Sequence, residues 1–380
     1  MRGYIYKMIE NKRIVLSGNT AWGMYNFRHK LLEHLVAEGY EVYVSAPYDE
    51  TFFKKLEDCG CHTIDMPISA KGTNPVKDFL LLLKYRRLFK QLKPFLSITY
   101  TIKPNLYGSM AAQWCGVRHL PVTTGLGYVF LTDNLTSKVA KWLYRIAFAK
   151  AQQVWFLNEA DVQTFCSLNL IEPEKIQLLN SEGVDTDHFS FFDRSQRQRS
   201  ELRFLYVGRL LYDKGLGEYA EAAFRLKKKY PQAEFHVLGN YWHDNPSAID
   251  EATIKQWESS GTIVYDGGTN DVRPNLHEAD CMVLPSYREG MSCSLMEAAA
   301  TGLPLVATDV PGCRELVRQG ESGFLCKVKD STSLEQALER IIQLSPEQRI
   351  AMGRESRRLM EREFAVEKVI RQYDSYIAAL

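Results

Sequence analysis

Short apolar runs alternate with longer amphipathic stretches along this chain. RIVLSG (13–18) reads as a strand, followed by a loop over 19–23 and an amphipathic helix, YNFRHKLLEHLVAEG, that stops at Gly39. EVYVSAP, HTIDMPI, LSITY, LPVTT and VWFLN continue as strands. Between them lie the helical stretches TFFKKLEDCG and 75–93, the turn and helix IKPNLYGSMAAQWCG, and a helix near 137–150. IQLLNSEGVDTDHF closes the series. Apolar runs of strand length separated by helical periodicity predict βα units, hence a parallel sheet with helices on both faces.

FFDRSQRQRSE (191–201) is polar and turn-like and is expected to act as a linker. A second series follows. Its strands are RFLYVGRL, EFHVLG, TIVYDGG, MVLPS, LPLVAT and FLCKV; its helices are EYAEAAFRLKKKY, 248–260, VRPNLHEAD and 292–301, with more from about 333. The prediction is an α/β chain of two Rossmann-like domains facing each other across a cleft. Residues 1–190 and 191–360 form the two domains, and a helix over 361–380 is expected to pack back on the first.

Composition adds bounds. At 380 residues and 45% hydrophobic, the chain can fill two cores, while a net charge of +1 names no partner. Eight cysteines are scattered, and Cys59-Gly-Cys61 lacks a second Cys or His pair at zinc-ligand spacing, so it is read as structural. The pattern suits a reduced, cytoplasmic protein. MRGYIYKMIENKR has no apolar core of signal-peptide length, and no uncharged apolar run approaches the ~20 residues of a membrane span.

The most informative run is Met282 to Leu316, MVLPSYREGMSCSLMEAAATGLPLVATDVPGCREL. It predicts a strand, a loop at Tyr287–Gly290, a helix from Ser292 to Thr301, a stop at Gly302 and Pro304, and a second strand. In such a unit the loop and helix N-terminus lie at the carboxyl edge of the sheet, where ligands of open α/β sheets bind. The N–H groups of Met291, Ser292, Cys293 and Ser294 are expected to be open there and to suit an anion. Glu289 and Glu297 frame the loop. Eight fully helical residues would rise about 12 Å, more than the roughly 5 to 9.5 Å between glycosidase carboxyls. The spacing better suits two carboxylates that accept hydroxyl protons at different points of one elongated ligand. The plain alternative is a solvated Glu289 and a Glu297 paired with Arg288 or Arg314.

In VGRLLYDKG the strand ends at Gly208, Arg209 follows at once, and Lys214 precedes the next helix. A planar fork and a point charge at one sheet edge could together neutralise a diphosphate. Either residue alone would be an ordinary exposed cation.

VGRLLYDKG, DGGTNDV and LPSYREGMSCSLMEAAATGLPLVATDVPGCRELV together resemble the donor domain of glycosyltransferase family 4, which has the GT-B fold; the likeness runs through most of 202–340. The E-x7-E spacing of Glu289 and Glu297 is its most characteristic element. The resemblance implies that Arg209 and Lys214 bind the diphosphate of a UDP-sugar and that Glu297 takes the ribose hydroxyls. It also implies that Glu289 and the backbone of Gly290, Met291 and Ser292, with Ser294, hold the donor sugar, and that Val272 lies near the base. Such enzymes retain anomeric configuration and generally need no catalytic metal or other cofactor. Arg209, Lys214 and a helix N-terminus would stabilise the departing diphosphate, and Glu289 the oxocarbenium-like sugar. Closure of two domains would exclude water. Many relatives place a His in a first-domain loop facing the donor sugar; here TTGLG (Thr123–Gly127) has none, and His119 is only near in sequence. Asp185-Thr186-Asp187 could be read as a metal-binding DxD, but it resembles an interdomain feature of family 4.

Charge is unevenly placed. Residues 71–150 hold thirteen Lys and Arg against two Asp, a net +11 within a chain of +1. KDFLLLLKYRRLFKQLKPF and SKVAKWLYRIAFAKAQ read as basic amphipathic helices, which suit an anionic membrane surface or a lipid diphosphate. No nucleic-acid motif accompanies the charge. ITYTIKPNLYGSMAA and TTGLGYVF are similar to bacterial family 4 enzymes that extend undecaprenyl-diphosphate-linked saccharides for surface polysaccharides, several with N-acetylhexosamine from a UDP-sugar. Lys103 is then expected at the acceptor phosphate, and Asn19 and Arg28 along the cleft. The expectation is a retaining transferase, cytoplasmic and peripheral at the inner membrane face. The competing readings are a transferase with a soluble acceptor, a GT-B-type nucleotide-sugar epimerase, and a non-catalytic sugar-nucleotide-binding module.

Overall fold

A computed structural model describes residues 12–69, 74–126, 135–197, 201–243 and 245–380. The N-terminal run to residue 11, Gly127 to Phe130 of the TTGLGYVF motif, and residues 198–200 of the polar 191–201 segment lie outside them. The chain divides into two compact units, residues 1–182 with 370–380, and residues 183–369.

The first unit is built on β1 (Arg13–Ser17), α1 (Ala21–Ala37), β2 (Glu41–Ala46), α2 (Glu50–Asp58), β3 (His62–Asp65), α3 (Pro75–Leu92), β4 (Leu96–Tyr100), α4 (Ser109–Cys115), β5 (Arg118–Thr123), α5 (Leu135–Phe148), β6 (Val154–Phe156), α6 (Glu159–Ser167) and β7 (Ile176–Leu178). Its strands are all parallel, in the order β3-β2-β1-β4-β5-β6-β7. β4 is buried at every position, as a strand covered on both faces must be. Helix starts are capped where short polar side chains precede them: Thr20, Asp49, Asn74 and Asn158 each accept a first-turn N–H. IKPNLYG is not a simple turn. It is a π-helical turn, Pro104–Gly108, running straight into α4.

The second unit contains β8 (Leu202–Val207), α7 (Leu216–Lys229), β9 (Ala233–Leu238), α8 (Glu251–Ser259), β10 (Val264–Gly267), α9 (Arg273–Glu278), β11 (Cys281–Leu284), α10 (Cys293–Ala300), β12 (Leu305–Thr308), β13 (Gly323–Cys326), α11 (Ser331–Gln343) and α12 (Pro346–Leu359). The final helix, α13 (Val366–Ala378), follows. The sheet order β10-β9-β8-β11-β12-β13 repeats the plan of the first, again all parallel. In each sheet the order reverses once, at β1/β4 and at β8/β11. There the connections leave on opposite sides, and the strand ends open a crevice.

The polar segment expected as a linker is anchored on the second unit. Buried Arg194 donates to the carbonyls of Leu276, Ala279 and Thr301, closing the C-terminal ends of α9 and α10, and Arg197 pairs with Asp280 at 2.7 Å. Helix ends leave carbonyls that need donors, and guanidinium groups supply several from one side chain. Asp185 of the DxD run forms a turn, accepting from the N–H groups of Asp187 and His188 at 3.0 and 2.9 Å.

Candidate functional site

The loops after β8 and β11, neighbours at the switch point of the second sheet, carry most of the expected donor-site residues. β8 ends at Val207, and a short turn over Tyr212–Lys214 leads into α7 through Gly215. Gly215 has φ +74°, and a Cβ there would lie 2.0 Å from the carbonyl oxygen of Pro285 in the β11 loop. Only glycine lets the two loops approach so closely.

Their side chains meet. Lys214 Nζ lies 2.5 Å from Glu289 Oε1, with side chains 17% and 15% exposed. The pair is therefore screened from much of the solvent, and its geometry is stronger than that of a surface ion pair. Glu289 is not a solvated loop carboxylate, and Arg314, considered as a partner of Glu297, pairs with Asp309 at 2.9 Å.

The β11 loop is held from its far side as well. Glu289 N–H donates to Pro311 O at 3.3 Å, and Ser292 N–H to Gly312 O at 2.9 Å. Gly312 in turn donates to Glu315 Oε2 at 2.8 Å. Of the four amides expected to be open at this edge, that of Ser292 is thus spent on bracing the loop. Ser292 also caps α10, its Oγ accepting from Leu295 N–H at 3.3 Å and lying 3.3 Å from Ser294 Oγ. Met291 is buried, while Gly290 and Ser294 keep partial exposure.

Glu297 lies on α10 with partial solvent exposure. The dense surroundings still push its carboxyl up to about 8, with burial the cause. Its carboxyl has no protein hydrogen-bond partner among the described residues. Such a group is poised for polar groups brought by a ligand.

Arg209 is exposed, its guanidinium carbon 5.2 Å from the ring centre of Trp242 in the loop after β9. Tyr206 Oη donates to Arg209 O at 2.9 Å, fixing the backbone beneath it. The same loop is braced by Ser247, whose carbonyl accepts from Tyr212 N–H and whose Oγ accepts from Asp213 N–H, both at 2.8 Å. Val272, half-buried, precedes α9 beyond β10, two strands from β8.

Trp242, Ser247 and Gly312 were not anticipated. Signals existed: the aromatic pair Tyr241-Trp242 after Gly239-Asn240, the NPS turn, and Pro311-Gly312. None of them says which loop it braces.

In the first unit, Asn19 lies after β1, partly exposed, near the switch point. Arg28 and Lys103 are both held in ion pairs within the first unit. Arg28 is buried on α1, donating to Gly23 O at 2.9 Å and to Glu182 Oε1 at 2.5 Å, with its guanidinium 3.7 Å from the Tyr100 ring centre. Its charge is used inside the unit. Tyr100 Oη in turn meets Tyr373 Oη at 2.9 Å. Lys103 Nζ lies 2.7 Å from Asp78 Oδ1, the side chains 15% and 12% exposed, so it ties the β4 loop to α3. His119 is buried in β5, its pKa pushed down to about 4 by burial.

A family model described as "Glycosyl transferases group 1" matches residues 201–344, and one described as "Glycosyl transferase 4-like" matches residues 13–158. Among curated proteins, the chain is similar to the N,N'-diacetylbacillosaminyl-diphospho-undecaprenol alpha-1,3-N-acetylgalactosaminyltransferase of Campylobacter jejuni, 29% identical over 87% of this chain and 89% of that one. It is 27% identical to the UDP-Gal:alpha-D-GlcNAc-diphosphoundecaprenol alpha-1,3-galactosyltransferase of Escherichia coli, over 73% of each chain. Among solved structures, Anabaena Alr3699/HepE in complex with UDP-glucose superposes with a TM-score of 0.79 at 17% identity, covering 97% of this chain and all of the other.

Proposed function

The chain belongs to glycosyltransferase family 4 and is a glycosyltransferase of GT-B fold; from that premise we propose that it moves a hexose or N-acetylhexosamine, with retention, from a UDP-sugar to an undecaprenyl-diphosphate-linked saccharide. It would act at the inner face of the membrane, in the synthesis of a surface glycan such as capsule or O-antigen. The observation that carries the donor side is the meeting of Lys214 and Glu289 at the switch point, with exposed Arg209 on the same β8 loop. The acceptor side rests on the two undecaprenol-linked relatives.

The chemistry follows from charge. A departing UDP gathers negative charge on its diphosphate while the sugar turns oxocarbenium-like. Arg209 and Lys214 offer charge-assisted hydrogen bonds to the first, each worth about 1.5–3 kcal/mol. Glu289 directs the ammonium of Lys214; a diphosphate would compete for the same donor and leave Glu289 facing the sugar. Glu297, with no protein hydrogen-bond partner among the described residues, accepts from the ribose hydroxyls. Ser294 and the backbone of Gly290 and Met291 line the sugar side, and Val272 the base side.

UDP release from a panel of UDP-sugars, with and without a bacterial lipid extract, tests the reading. Release with one sugar only when lipid is present supports it and names the donor. Lipid-independent transfer to a sugar or other soluble compound would replace the acceptor, and conversion of the sugar nucleotide without UDP release would replace the reaction with epimerisation.

A further inference from the structure

Of the sixteen large apolar side chains that stand exposed among the described residues, eight lie on α3, α4 and α5. These helices are neighbours: Cys115 Sγ of α4 contacts Arg86 O of α3 at 3.7 Å, and Gln113 Nε2 reaches Ile146 O and Ala147 O of α5 at 3.1 and 2.6 Å. On α3 the outward stripe runs Val76, Phe79 and Leu80, Leu83, at i, i+3, i+4 and i+7, while Leu81, Leu82, Tyr85, Leu88 and Phe89 face the core. The same outward line continues into Arg87 and Lys90, with Lys84 beside it, all exposed. On α5 the outward line holds Trp142, 58% exposed, and Ile146, and α4 carries Trp114, 57% exposed.

We propose that this three-helix face seats the first unit on an anionic bilayer, with Phe79, Leu83, Trp114 and Trp142 entering the headgroup region and the basic side chains meeting lipid phosphates. Three observations select that occupant. Residues 71–150 carry a net +11, so the face complements a negative surface. Exposed apolar side chains on the first half of α3 run directly into exposed cations on its second half, whereas the centre of a protein–protein interface is depleted in charge. Tryptophan suits the boundary between headgroups and acyl chains, and no helix among the described residues is long and apolar enough to cross a membrane, so the contact is a seating rather than a span. The inference deepens the lipid-linked acceptor reading, whose substrate would lie in the same bilayer, and rests on it for its purpose; its test does not use that reaction.

The full chain is sedimented with large vesicles of equal parts phosphatidylglycerol and phosphatidylcholine, and with vesicles of phosphatidylcholine alone, while tryptophan emission is followed. The expected result is binding to the anionic vesicles that weakens with salt, and a blue shift that Trp114→Phe with Trp142→Phe removes. A Phe79→Ser, Leu83→Ser, Trp142→Ser variant and a Lys84→Glu, Arg87→Glu, Lys90→Glu variant should each lose about tenfold or more in partitioning. Both should keep the wild-type melting temperature and UDP affinity, since they alter exposed positions of the other unit. Wild-type chain that stays in the supernatant, or variants that sediment like wild type, overturn the proposal. A concentration-dependent dimer abolished by Trp142→Ser, without vesicle binding, would assign the face to a second copy and overturn it too. Lipid-independent sugar transfer from the UDP-sugar alongside intact vesicle binding would count against the acceptor reading alone.

Discussion

Glu297→Gln tests whether α10 carries a carboxyl whose charge is costly in the empty site. Burial moves this group from 4.5 up to about 8. A carboxyl with a higher pKa in the folded than in the unfolded chain holds its proton more tightly when folded. Its stabilising contribution is complete below about pH 4.5 and is lost as the pH rises through about 8. At 1.36 kcal/mol per tenfold in proton affinity, the full displacement would correspond to roughly 4–5 kcal/mol. Partial solvent exposure screens the charge, which brings the expectation to about 2 kcal/mol. Glutamine has nearly the same shape and no titration. For a unit of this size, about 2 kcal/mol is roughly 4–8 °C in Tm. Melting curves of both proteins without nucleotide, from pH 5 to pH 9, are the assay. The variant should melt close to wild type at the acid end and about 4–8 °C higher at the alkaline end. A Tm difference that does not change with pH, or a variant that is the less stable at the alkaline end, would refute the reasoning. The same variant should lose part of the preference for UDP over 2'-deoxy-UDP, because the amide cannot accept from two hydroxyls as a carboxylate can.

Arg209→Ala should weaken UDP and UDP-sugar together by about tenfold or more; unchanged affinity in calorimetry would remove the diphosphate assignment. Glu182→Ala should cost about 3–5 kcal/mol in denaturant unfolding because it strands buried Arg28, whereas the double change Arg28→Met with Glu182→Leu should cost far less; equal losses would mean that the pair, and not the stranded charge, sets the stability. Gly215→Ala should abolish UDP binding, since its Cβ would lie 2.0 Å from Pro285 O, whereas Gly261→Ala, at a similar φ of +68° but with open space around it, should keep UDP affinity; equal behaviour would show that backbone strain, not the close approach of the loops, governs the site.

Much of the fold was legible because its signals are local. Strands buried on both faces read as continuous apolar runs, and α3 and the β11–α10–β12 segment fall where periodicity and turn residues set them. β7 was hidden within IQLLN because a three-residue edge strand, none of it fully buried, has no apolar run to display. The 191–201 segment looked like a tether because its arginines are polar. In the fold that polarity serves helix ends more than 80 residues away.

The candidate site divides along the same line. Local propensity alone puts Arg209, Lys214 and Glu289 in the strand-end loops of the second unit and Glu297 on the helix that follows, since each stands at a fixed offset from a strand or cap. Only the tertiary structure decided which of these charges meet. Lys214 and Glu289 are 75 residues apart and become partners because the sheet crosses over to lay β11 against β8. Arg28, outwardly a plausible acceptor contact, becomes an interior ion with a partner 154 residues on. An ionic side chain has no fixed use in the sequence. Its role is set by the dielectric around it and by the opposite charge within a few ångströms, and both are products of strand order and packing.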